Sequence, residues 1–331
     1  RQRQMCIRDR GMPGLAYLTG IASPGWTAIG LAVGTWLNWL IVARRLRRYS
    51  ANLDAITVPQ FLSLRFHDQR NLLNALGAVI IIVFFIPYTA SGFAACGKLF
   101  SSLFGMNYMT AMIISAVVIV AYTTAGGFFA ASATDFVQSI IMTVAIVFVL
   151  VFSTISAGGI DAVVENAKAL PGYLSLTASY IEDTGKSEPY NLLHIITTLS
   201  WGLGYFGMPH ILLRFMAIED EKKLKLSRRV ASVWVVIAMA MAVLIGIVGR
   251  ALSNTGLVDQ LHGNDTETII VRVAHLLSTY GAFPAIMAGL ILAGILASTM
   301  STADSQLLAA ASSVSENILR EAFHLKISEK K

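Results

Sequence analysis

Three stretches of this chain combine residue types that could hold or pass a small ion or solute. Residues 298–305 read Ser-Thr-Met-Ser-Thr-Ala-Asp-Ser, five hydroxyls and one carboxylate in eight positions. Hard cations prefer oxygen ligands, and hydroxyls with freed carbonyls supply them at little charge penalty. The alternative is that these hydroxyls bond back to their own helix or to a neighbour. Asp304 tilts the balance toward a cation, because a carboxylate inside an apolar helix marks an ion pathway by default. Residues 201–210 read Trp-Gly-Leu-Gly-Tyr-Phe-Gly-Met-Pro-His. Three glycines and Pro209 break a helix there, and freed backbone groups at membrane depth are tolerated only where protein or a polar cavity satisfies them. Such breaks point to a transporter binding site near the midplane; the alternative is close helix packing through small residues. The spacing of Trp201 and Tyr205 places both on one helical face. His210 reads as a satisfied polar residue, not a ligand.

Asp135 is the second intramembrane carboxylate, in Ala131-Ser-Ala-Thr-Asp-Phe-Val-Gln138 after Gly126-Gly127. It either faces a polar cavity used by a cation or anchors the end of its helix. Tyr88 follows Pro87 mid-span, a kink with an aromatic hydroxyl at depth, for which core packing is the usual fate.

The elements that position these residues are membrane spans. The 331 residues are 55% hydrophobic and 13% charged, with mean hydropathy +0.66, against about a quarter charged in ordinary soluble domains. No Asp, Glu, Lys or Arg occurs in 11–43, 71–97, 99–134, 136–160, 189–213, 230–249 or 273–303. Each interval can supply the ~20 apolar residues of a span, which excludes a soluble globular enzyme. Apolar runs place spans near 26–46, 71–100, 108–124, 130–156, 190–215, 226–252 and 282–315. The segment at 11–21 is too short to cross alone and is either re-entrant or the second half of a helix. Short helices are expected from Pro59 within 57–66 and over 266–279.

Lys and Arg set the orientation. The 44–70 and 214–229 loops hold six each and the C-terminal tail four, whereas 101–107, 157–189 and 250–281 together hold only Lys168, Lys186, Arg250 and Arg272. The rich segments are therefore cytoplasmic and the acidic 157–189 loop faces outside. The net charge of +6 is a topology signal here, not a nucleic-acid footprint. Half of it lies in residues 1–10, which lack a signal-peptide core and read as a non-native leader. Cys6 and Cys96 offer no disulfide framework, and no His cluster or nucleophile–base motif argues for an enzyme.

These residues resemble the solute:sodium symporter family, closest to its bacterial sodium/proline symporters. Trp201 to His210, continued by Ile-Leu-Leu-Arg-Phe-Met216, is similar to that family's broken helix. Tyr122 to Ala130 (Tyr-Thr-Thr-Ala-Gly-Gly-Phe-Phe-Ala) is similar to its signature segment, and Met300 to Leu308 to its cation-site helix. Gly11-Met-Pro-Gly14 resembles the end of its first core helix, and Thr57 to Phe61 its first cytoplasmic loop. The resemblance covers essentially everything after residue 10.

It implies an all-α polytopic membrane protein with an incomplete leucine-transporter-type inverted-repeat fold, broken first and sixth helices and alternating access. Residues 11–331 then correspond to a partial transmembrane domain, from the second half of core helix 1 through core helix 8, and this chain alone is not expected to transport. The implied activity is sodium-coupled import of a small zwitterion, foremost L-proline, across a bacterial inner membrane. Pantothenate or another amino acid is the alternative substrate, and a symporter-like sensor module the alternative class. By the same resemblance Ser301 and Thr302 give hydroxyls and Ser298 a carbonyl to sodium, while Tyr88, Trp201, Tyr205 and Pro209 contact the solute. Asp135 and Asp304 form a second cation site or an acidic release path. The implied partners are the lipid bilayer and the solute; no nucleic-acid or protein partner is inferred.

Overall fold

The computed structural model describes residues 11–322. The leader expected at 1–10, and the basic tail with Lys326, Lys330 and Lys331, lie outside the described residues.

The described chain is almost wholly helical. Helix α1 spans Met12–Thr19, with Pro13 in its first turn. Helix α2 spans Ala22–Asn52 and contains a π turn at Asn38–Ala43. Helix α3 spans Val58–Arg65. Helix α4 spans Leu72–Phe104, α5 Tyr108–Phe129 and α6 Ala131–Ser156. Helix α7 spans Ile160–Ala169 and is followed by an antiparallel hairpin of β1 (Ala178–Ile181) and β2 (Lys186–Pro189). Helix α8 spans Leu192–Leu199, α9 Pro209–Met216, α10 Leu224–Asn254, α11 Ile269–Ser278 and α12 Ala282–Ser312, the last continued by a π segment to Ala322.

Six of these are long and apolar enough to cross a membrane: α2, α4, α5, α6, α10 and α12. The seventh expected span, 190–215, is not one helix but α8, a 3-10 turn over Ser200–Phe206, and α9. Near the end of α5, ahead of α6, the chain turns at Gly127, whose φ of 57° and ψ of −153° lie where only glycine sits without strain. The short helix anticipated from Pro59 starts one residue earlier, because Thr57 Oγ1 caps it by accepting from the Gln60 amide at 3.3 Å. Helix α7 and the hairpin have no counterpart in the sequence reading. The strands are four residues long, and β2 is exposed throughout, so no alternation of polarity betrays it.

The described chain divides into two compact units. The first comprises residues up to Trp36, Ile140–Tyr205 and Arg228–Ile295. Its core gathers Tyr17, Tyr173, Ile245, Leu252 and Ile269, all essentially buried. The Tyr173 hydroxyl lies 2.8 Å from Ala16 O and 2.9 Å from Tyr17 O, giving the carbonyl end of α1 a side-chain donor. The second unit comprises Leu37–Ser139, Phe206–Ser227 and Leu296 onward. There Leu212, Phe215 and Met216 of α9 pack on Ala43 and Leu46 of α2, with the Trp39 and Phe215 rings edge-to-face at 4.5 Å. A polar cluster joins α3, α4 and the end of α12: Thr57 Oγ1 donates to Asn317 Oδ1 at 2.7 Å, and Gln60 and Asn74 both donate to the Glu321 carboxylate.

Candidate functional site

In the second unit, α12 presents its polar stretch as a single turn of converging oxygens. Ser301 Oγ and Thr302 Oγ1 both donate to Ser298 O at 3.1 Å. The back-bonding weighed against a cation site is thus the geometry observed, and it gathers one carbonyl and two hydroxyls around one point. Ser298 and Thr302 are exposed on the helix surface, so these oxygens are accessible.

One turn further on, Asp304 is fully buried. Its Oδ2 accepts from the Tyr122 hydroxyl of α5 at 2.9 Å. Ser305 Oγ lies 3.3 Å from Asp304 Oδ1 and 3.0 Å from Ser301 O, the two acceptors open to its one proton. Ser305 Oγ also accepts from Arg214 Nη2 of α9 at 2.7 Å, and the same nitrogen is 2.5 Å from Asp135 Oδ2 of α6. Asp135 and Asp304 are therefore linked through Arg214 and Ser305, with a guanidinium on Asp135. Neither sequence alternative for Asp135 included that partner.

A cavity of about 20 Å³ is lined by Asp135, His210, Arg214 and Ser305, with Phe128 and Leu213 on its apolar side. Asp135 Oδ1 and His210 Nδ1 are buried without a hydrogen-bond partner among the described residues. The expectation of a satisfied His210 is corrected at that nitrogen: its ring is held by an edge contact to Phe85 at 5.6 Å instead of by a polar partner. Tyr88 of α4 also meets Phe85 edge-on, ring centroids 6.4 Å apart, so Phe85 touches both Tyr88 and the start of α9. Pro209 opens α9 after Met208, whose ψ of 110° leaves the helical range.

Trp201 and Tyr205 lie in the first unit, within the 3-10 turn between α8 and α9. A 3-10 turn repeats every three residues, so the expectation of one shared face is corrected: Tyr205 is about a third of a turn from Trp201. The glycines divide between the two readings offered for them. Gly202 is a packing residue, since a Cβ there would stand 1.9 Å from Gly30 O and 3.3 Å from Gly34 Cα. Gly204 has no neighbour within 4 Å of such a Cβ, so packing does not demand a glycine there.

Arg214 and Tyr122 were quoted in the motifs without a role. The signal that could have singled out Arg214 is its place as the first charge after the uncharged interval 189–213, on a helix that must face two carboxylates. Tyr122 carries no such signal, because a tyrosine in an apolar run reads equally as packing.

Six helices long and apolar enough to cross a membrane, α12 with its polar stretch among them, and a short helix pair interrupted by a 3-10 turn define a polytopic membrane protein. The chain resembles a solved Na+-coupled sialic acid symporter in a substrate-bound, outward-open state, with a TM-score of 0.68 and 20% identity over 96% of this chain and 66% of that one. That likeness establishes a leucine-transporter-type fold. The sodium:solute symporter family model matches residues 10–331, and the chain belongs to that family. It is 40% identical to the high-affinity proline transporter PutP of Bacillus subtilis (strain 168) over 97% of this chain and 64% of the relative. It is 37% identical to the sodium/proline symporter of Escherichia coli (strain K12), over 97% and 61% respectively. The chain spans less than two thirds of the length of these curated relatives.

Proposed function

We propose that this protein is the core of a sodium-coupled secondary transporter that imports a small zwitterionic solute, L-proline, across the bacterial inner membrane. The observation that carries the reading is the convergence of Ser298 O, Ser301 Oγ and Thr302 Oγ1 within 3.1 Å on one turn of α12. Three neutral oxygens suit a desolvated monovalent cation, which needs ligands but little counter-charge. The names of the relatives support sodium as the co-transported ion and proline as the solute. Residues 11–331 correspond on this reading to the second half of core helix 1 through core helix 8.

Sodium binds as cargo at the α12 turn. Tyr88, Trp201, Tyr205 and Pro209 are assigned to solute recognition, where aromatic faces and freed backbone groups suit a compact ring with an ammonium and a carboxylate. Asp135 and Asp304 belong to the ion's release path or to a second cation site. In the arrangement described, Arg214 balances the charge of Asp135.

The test is uptake of radiolabelled proline into proteoliposomes containing the native gene product, driven by an inward sodium gradient. The expected result is accumulation that collapses when the gradient is dissipated. Uptake indifferent to sodium, or absent for proline while pantothenate is accumulated, would overturn the coupling or the substrate assignment respectively.

A further inference from the structure

The first unit contains a second, wholly different site. Between the end of α6, the helix α7 and the α10 segment 244–248 lies an apolar cleft of about 650 Å³, well within the range of small-molecule sites. Its walls include Val151 and Ile155 of α6, Ile160 and Val164 of α7, and Leu244 and Ile247 of α10. The one hydroxyl among its lining side chains, Thr154 Oγ1, donates to Leu150 O at 2.7 Å. The backbone at the α6 end is occupied as well, with Gly159 N donating to Thr154 O and Gly158 N to Ile155 O. The cleft therefore offers a ligand no unspent hydrogen-bonding group from these residues, and an apolar cavity of this kind does not hold water.

Its mouth and rim identify the occupant. The cleft is lined by 150–155 of α6 and 244–248 of α10. At 1.5 Å per residue that is ~6–8 Å along each helix, room for a segment of one acyl chain. It opens sideways, where Val151, Ile155 and Leu244 are 52%, 71% and 45% exposed on membrane-crossing helices. Helix α7 lies across its end as an amphipathic interfacial element. Ile160, Val163, Val164 and Ala167 form the stripe on the cleft. Asp161, Glu165 and Lys168 form an exposed stripe on the neighbouring face. These three charges make no side-chain hydrogen bond or ion pair among the described residues. Two carboxylates beside one ammonium complement a headgroup that carries both an ammonium and a phosphate.

We infer that this cleft is a binding site for one acyl chain of a zwitterionic aminophospholipid. The headgroup rests on the Asp161–Glu165–Lys168 stripe of α7, and the chain runs down between α6 and α10. The site owes nothing to the sodium or solute residues, so it stands or falls separately from the transport reading.

The experiment uses the native gene product in nanodiscs of phosphatidylethanolamine, phosphatidylcholine or phosphatidylglycerol, each carrying a photoactivatable acyl chain, with adducts mapped by peptide mass spectrometry. The expected result is labelling concentrated in 150–167 and 244–248, several-fold stronger with phosphatidylethanolamine. Val164→Trp combined with Leu244→Trp fills the cleft and should reduce that labelling several-fold while thermal unfolding stays cooperative. Lys168→Glu should abolish the headgroup preference and leave chain labelling in place. Labelling spread evenly over the apolar surface overturns the proposal, as does cross-linking of these walls to polypeptide outside residues 11–322. Equal labelling by all three headgroups removes the aminophospholipid assignment. Should the double variant not fold, Ile160→Asp, which places a charge at the exposed mouth, must lower the labelling for the proposal to survive.

Discussion

Ser301 and Thr302 share one acceptor, Ser298 O, at equal distances of 3.1 Å, so the three oxygens can turn together toward a cation without unfolding the helix. Removing either hydroxyl takes away one ligand and leaves the backbone ladder intact. Ser301→Ala and Thr302→Ala are therefore expected to raise the sodium concentration for half-maximal proline uptake at least about tenfold each, some 1.4 kcal/mol, with no loss of thermal stability. A sodium titration of uptake checks this, and an unchanged half-saturation would remove α12 from the cation site. Arg214 is different in kind. Its partner Asp135 has a side chain only 12% exposed, so Arg214→Gln strands a nearly buried carboxylate. With Arg214 itself about half exposed, the expected cost is about 1–3 kcal/mol. Adding Asp135→Asn should recover most of it, as a double-mutant cycle of unfolding in detergent would show. The chemistry of α12 was legible in the sequence because hydroxyls are conspicuous among apolar residues. The Arg214 bridge was not, since nothing in spacing along one helix says which carboxylate on another helix a guanidinium meets.

At the scale of elements, the break between α8 and α9 was legible, as glycines and a proline cannot continue a helix. How it packs was not. Gly202 faces Gly30 and Gly34 of α2 at a distance that excludes a methyl group, a fact set by two segments about 170 residues apart in the chain. Gly202→Ala should force the 3-10 turn away from α2, with an overpacking cost of about 1–3 kcal/mol or more. Gly204→Ala, which meets nothing, should be nearly neutral for folding. Comparing the two variants by size-exclusion profile and melting temperature separates packing from backbone freedom. The α9–α10 connection makes a second, electrostatic case. Glu221 accepts from Arg44 and Arg48 of α2, and those hydrogen bonds hold its carboxyl below the usual range. A lowered folded pKa means the stabilisation is complete above the unfolded value of about 4.3 and fades as pH falls through the folded value. These groups are exposed, so the effect is local and screened by salt. Hydrogen-exchange protection of 217–227, corrected for the intrinsic pH dependence of exchange, should fall in acid and in high salt, and Glu221→Gln should weaken both responses to what the Glu219–Lys223 pair contributes.

For the molecule as a whole, the uncharged intervals were enough to place six helices to within a few residues, because hydrocarbon imposes one rule on every span. The division into two compact units was not legible. Helices α2, α6, α10 and α12 each run from one unit into the other, and no composition change marks the crossing point. That division carries a consequence for coupling. Trp201 and Tyr205 belong to the first unit, whereas Ser298, Ser301 and Thr302 belong to the second. Tyr88 and Pro209, also assigned to the solute, belong to the second unit as well, so on the proposed reading solute and ion meet residues of the same unit. If binding is at equilibrium, linkage requires that sodium change proline affinity by the same factor as proline changes sodium affinity. The expected factor is about 5–150, the usual span of such couplings. Equilibrium binding of labelled proline to the purified native gene product at low and saturating sodium gives one side of that equality. Sodium binding with and without proline gives the other. Ser301→Ala/Thr302→Ala should drive both factors toward one together, while proline binding in the absence of sodium stays as it was. A variant that lost sodium affinity yet kept the full sodium effect on proline would place the coupling ion somewhere other than α12.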